Sequence, residues 1–110
     1  MVAHLTVRYV YGWRFDVAPF PPGEYPEEGY VLMPIVDGHP GYGFLLYAAG
    51  SSTLVASEHG GGNIPHPVVD VSTLCASPKC ISALGKALGR IPEAKWPKNH
   101  PSWIFHSTLE

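Results

Sequence analysis

Residues 67–91 read Pro67-Val68-Val69-Asp70-Val71-Ser72-Thr73-Leu74-Cys75-Ala76-Ser77-Pro78-Lys79-Cys80-Ile81-Ser82-Ala83-Leu84-Gly85-Lys86-Ala87-Leu88-Gly89-Arg90-Ile91. The stretch passes from a strand pattern (68–72) through a cysteine-bearing loop to a helix pattern. Ser77 before Pro78 is a helix start: the hydroxyl accepts an orphan backbone N–H, and proline at the first helical position has none to lose. Ile81, Leu84, Leu88 and Ile91 then recur at helical spacing and gather on one stripe. Gly89 is expected to take the left-handed conformation that ends a helix, and Pro92 to prevent its restart. The spacing therefore predicts a helix over about 77–90 whose apolar side covers a sheet.

The sheet is sought upstream. Leu5, Val7, Tyr9, Tyr11, Trp13, Phe15 and Val17 occupy every odd position, with His4, Thr6, Arg8, Arg14 and Asp16 between them. A period of two sustained this long is a half-buried strand, and Gly12 marks a bulge or bend within it. Residues 19–29 hold four prolines, two glycines and three acids, which excludes a helix and predicts an extended surface loop pinned by Phe20 and Tyr25. Tyr30–Val36 and Tyr42–Ala49 form a hairpin around the turn Asp37-Gly38-His39-Pro40-Gly41, and Ser52–Ser57 is a fourth strand. After the helix, Trp96, Trp103, Ile104 and Phe105 predict a tail folded back on the sheet, because tryptophan buries more area than any other residue. The fold class is α+β: an antiparallel sheet of four or five strands with the helix packed on one face and the tail closing an edge. A small β-barrel plugged by the helix is the alternative.

The 110 residues make one domain, 1–108, with Leu109-Glu110 read as a cloning scar. An apolar content of 45% against 15% charged residues is globular, and 12 Gly with 12 Pro predict many turns. The start has no basic segment followed by an apolar core, so no signal peptide is expected, and no apolar run is long enough to span a membrane. Two cysteines make no disulfide framework. A cytoplasmic location is the resulting expectation.

Charge is unevenly placed. Between Phe15 and Pro78 there are acids and no Lys or Arg, whereas Lys79, Lys86, Arg90, Lys95 and Lys98 follow with only Glu93 against them. Either the halves attract one another or the basic part faces an anionic partner. Lys79, Lys86, Arg90 and Lys95 beside Trp96 form a candidate surface for anions or single-stranded nucleic acid, where bases hold phosphates and the indole stacks. The slight overall acidity of the chain argues against nucleic acid.

Cys80 falls in the first turn of the helix, where the dipole favours a thiolate, and Cys75 lies five residues before it. With His59 and His66 these thiols are a candidate zinc set, though neither pair has a familiar ligand spacing; otherwise no cofactor is implied. Gly60, Gly61 and Gly62 permit close backbone approach and so form a candidate binding loop, but no Gly-x-Ser-x-Gly nucleophile accompanies His59 as an esterase would require. Gly85 and Gly89 leave one helix side smooth, for tight packing on the sheet or for a second copy of the chain.

No complete catalytic constellation emerges. The leading expectation is a small non-enzymatic interaction module, an accessory subunit of a bacterial or phage assembly, with a protein partner or a homodimer. A thiol or zinc protein and an anion binder are the alternatives.

Overall fold

The computed structural model describes residues 4–36, 38–59, 62–63 and 74–109. They form an α+β arrangement. One antiparallel sheet contains β1 (His4–Phe15), β2 (Gly23–Tyr25), β3 (Tyr30–Pro34), β4 (Phe44–Ala48), β5 (Thr53–His59), β6 (Gly62–Asn63) and β7 (Ser102–Leu109), and one helix, α1 (Pro78–Leu88), crosses one face. The strands lie in the order β2-β3-β4-β1-β7. β5 continues β4 along the same side of β1, and β6 pairs with β5.

Among the described residues β2 and β7 are each paired on one side only, so the sheet is open. The barrel considered from the sequence does not form: closure would need β2 to pair with β7, and among the described residues β2 pairs with β3 and β7 with β1. The predicted strand at 68–72 and the turn residue Asp37 lie outside the described residues.

The long alternating segment forms β1 because its odd residues meet the helix side. Trp13 joins Tyr30, Leu32, Phe44, Leu46 and Ala48 of the sheet against Cys80, Ala83, Leu84, Ala87 and Ile91, with Tyr11 and Phe15 partly buried beside them. Burying a side chain such as Leu84 or Leu46 contributes about 1.5–3 kcal/mol each. On the other face Val10 and Leu45 are also buried. There His106 Nε2 donates to the Ile35 carbonyl at 3.2 Å, tying β7 to the connection that leaves β3.

Gly12 has a different role from the bulge expected of it. A Cβ there would sit 1.8 Å from the Leu46 carbonyl oxygen, so only glycine lets β4 approach β1. The register irregularity falls between Val7 and Arg8, on the β5 side. Where β4 passes into β5, the 3-10 turn Ala49–Ser51 interrupts the strand. Ser51 repairs the gap: its buried hydroxyl accepts the Tyr11 N–H at 2.9 Å and donates to the Ala48 carbonyl at 2.6 Å.

The helix starts as predicted, with Ser77 Oγ accepting the Cys80 N–H at 3.2 Å. Its end differs. Gly89 is right-handed, φ −62° and ψ −19°, and the chain tightens into 3-10 bonds from Arg90 to Ala87 and from Ile91 to Leu88. Trp96 Nε1 then donates to the carbonyls of Leu88 and Ile91 at 3.0 and 2.8 Å, so a side chain caps carbonyls that a left-handed glycine would otherwise satisfy. Ile81 is also a correction: it is 56% exposed, and the buried stripe runs through Cys80, Ala83, Leu84, Ala87 and Ile91.

Candidate interaction surface

The basic residues singled out in the sequence do not converge. Arg90 is held by Glu28, with Nη2 3.0 Å from Oε1 and Nε 3.2 Å from Oε2, and its guanidinium lies 4.7 Å from the centre of the Tyr25 ring. Glu28 also accepts the Tyr30 hydroxyl. The hydrogen bonds from Arg90 and Tyr30 hold the Glu28 carboxyl below its ordinary pKa, while burial, aided by that bond, pushes the Tyr30 phenol up to about 12. Tyr25 stacks on Tyr30 at 5.0 Å, and Phe20 meets both edge-on. The acidic part and the basic part of the chain thus attract one another here, through an ion pair that fastens β2 and β3 to the end of α1.

Trp96 is committed to its cap, and Lys95 is exposed in the 3-10 turn Glu93–Lys95. Lys79 and Lys86 line a cleft of about 620 Å³ beside the first half of α1. Its opposite wall carries Glu27 and Glu28, so the bases face acids and the cleft offers no net attraction for an anion.

The thiols are free, with Cys75 exposed and Cys80 buried. Among the described residues no cluster of three or more His, Cys, Asp or Glu is arranged to hold a metal ion. Of the other expected ligands, His66 and the side chain of His59 lie outside the described residues, as do Gly60 and Gly61; Gly62 opens β6. No helix among the described residues is long and apolar enough to cross a membrane.

What the structure does bring together is a surface on the helix side beyond the cover of α1. The helix packs over β3 and β4, which leaves the β1–β7 half of that face less covered. A groove of about 520 Å³ runs between the Ile81–Leu88 side of α1 and residues 97–101, floored by Tyr11 and Trp13. Trp13 Nε1 donates to the Asn99 carbonyl at 2.9 Å and holds the far wall in place. A Cβ on Gly85 would meet nothing within 4 Å. The smooth helix side therefore borders open space and does not pack tightly on the sheet.

Beyond the groove lies β7, which was legible only as an aromatic tail. Trp103 packs on Tyr11 with ring centres 5.2 Å apart, and Phe105 on Tyr9 at 5.5 Å, yet Phe105 stays 59% exposed. The backbone direction of β7 follows from β1. The Tyr11 N–H points toward Ser51, away from β7, so Tyr11 and Trp103 are a non-hydrogen-bonded pair of the antiparallel ladder. Alternation then sends the N–H and C=O of Trp103, Phe105, Ser107 and Leu109 outward, while those of Ser102, Ile104, His106 and Thr108 face β1. Residues 102–109 contain no Asp, Glu, Lys or Arg and no proline. An edge this long and uncharged is a ready template for another strand.

No family model, no curated protein and no solved structure matches the chain.

Proposed function

We propose that the chain is a non-enzymatic interaction module, an accessory subunit of a larger assembly, whose working surface is the outward edge of β7. Strand addition supplies the affinity through backbone hydrogen bonds, and alternate side chains supply selectivity. The observation that carries this reading is the outward row of backbone groups at Trp103, Phe105 and Ser107, beside side chains that already form an aromatic strip with Tyr9 and Tyr11.

An incoming strand meets donors and acceptors on its backbone and aromatic faces on one side. The adjoining groove along Ile81 and Leu88 accepts apolar groups that reach past the strip. The test is backbone amide exchange, at a dilution that leaves the chain monomeric, with and without excess of an unrelated peptide of alternating Val and Thr. Slowed exchange at Trp103, Phe105 and Ser107, with little change at β2, is the expected result. Unchanged exchange along β7 contradicts the reading.

A further inference from the structure

We infer that the occupant of the β7 edge is a second copy of this chain, paired antiparallel across a two-fold axis so that two sheets continue as one; this rests on the edge-pairing reading above. Self-pairing makes a demand that few strands meet, because every residue must tolerate its own kind nearby. Like charges placed opposite one another across antiparallel strands are destabilising, and β7 carries no Asp, Glu, Lys or Arg to bring together. The bases that precede it, Lys95 and Lys98, are sent by an antiparallel two-fold to opposite ends of the joint. A strand that bears no charge offers nothing to select a charged partner, and it is complementary to itself.

The outward parity fixes the register. In an antiparallel pair the residues that exchange hydrogen bonds must both point outward, so the axis passes through an outward residue or an inward one but never between neighbours. Placed on Phe105, it sets Phe105 opposite its copy and Trp103 opposite Ser107 of the second copy. The side chains of these residues share the helix-side face, so Tyr9 and Phe105 and then the same two residues of the second copy form one aromatic row, flanked on each side by a Tyr11–Trp103 pair. On the opposite face His106 stays engaged with Ile35 and takes no part. Closure is complete, since an isologous contact uses the edge up and leaves the β2 edges at the outer ends of the joined sheet.

Sedimentation equilibrium tests this on the full chain, together with S107P, F105K and K79A. Proline at 107 removes only an outward donor and keeps the bond pattern to β1. Losing that donor in both copies raises the dimer dissociation constant about 10- to 100-fold, and F105K acts in the same direction by setting like charges face to face. K79A changes an exposed side chain in the separate cleft that faces Glu27 and Glu28 and leaves the dimer in place. A dimer that survives both S107P and F105K overturns the inference. A strict monomer whose Trp103, Phe105 and Ser107 amides are slowed by the Val/Thr peptide also overturns it but leaves the edge-pairing reading standing, and a monomer with no such slowing removes both.

Discussion

The two edges of the sheet are built on opposite plans. β2 is three residues long and lies among Pro21, Pro22 and Pro26, with Glu24 within it and Glu27 and Glu28 just after it. Prolines and charges on a short strand are the usual means of stopping a sheet from recruiting another chain. That edge is also fastened inward, because Glu28 reaches Arg90 beyond the helix and Tyr30 is fully buried beneath it. β7 is eight residues long and has none of these guards. Among the described residues the second edge stands unguarded and unpaired, which is the arrangement that the proposed strand pairing needs.

The largest expected effect breaks the fastening of the guarded edge. Tyr30→Ala empties a fully buried site between the sheet and α1 and should lower unfolding free energy by about 3–5 kcal/mol in denaturant titration. The next sharpens the parity of β7. Ile104→Pro removes an N–H that faces β1 and should cost ~1–3 kcal/mol, whereas Ser107→Pro, on the outward set, should change monomer stability by about 0.5 kcal/mol or less. Equal losses would mean that the two sets do not differ.

Smaller effects appear with pH. The Tyr30 pKa is raised to about 12 from 10.0, so the protonated phenol is favoured in the folded state. Its contribution is present in full below about pH 10 and is lost as pH rises toward 12. The phenolate absorbance change near pH 12 should shrink in Tyr30→Phe, Tyr47 remaining as a second phenol that burial holds above its ordinary value. Glu28 has the opposite sign: its pKa is lowered by Arg90 and Tyr30, so its contribution is present at neutral pH and disappears as pH falls through the folded-state value. Both partners of the pair are about two-fifths exposed, at 41% and 38%, so Glu28→Gln should produce only a small loss of thermal stability, smaller still at high salt.

How far the sequence reached differs between the two edges for physical reasons. Ser77-Pro78 and the helical spacing of Leu84, Leu88 and Ile91 locate α1, and the alternation from Leu5 to Phe15 locates β1, because a repeated apolar face writes itself into the sequence even where Val10 on the other face is buried as well. β7 reads as a tail because its apolar residues are consecutive: Trp103 and Phe105 meet Tyr11 and Tyr9 on one face, while Ile104 between them lies on the other, beside the polar Ser102, His106 and Thr108. That pattern carries no period. β2 was hidden among prolines that an edge strand tolerates. Arg90 and Trp96 look available because sequence shows charge and ring but not partners: Arg90 is held by Glu28, 62 residues away, and Trp96 turns back locally onto the carbonyls of Leu88 and Ile91. Ile81 shares the helical spacing of the core residues, yet it sits on the side of α1 that lines the groove opposite residues 97–101.

The central proposal is that the backbone groups of alternate β7 residues, which point away from β1, pair with another copy of the strand. Residue-resolved amide exchange on a dilution series measures this most directly. At low concentration Trp103, Phe105 and Ser107 should exchange fast while Ile104 and His106 remain protected, and the fast set should slow as concentration rises. Uniform protection along 102–109 at the lowest concentration, or the reverse alternation, would contradict it.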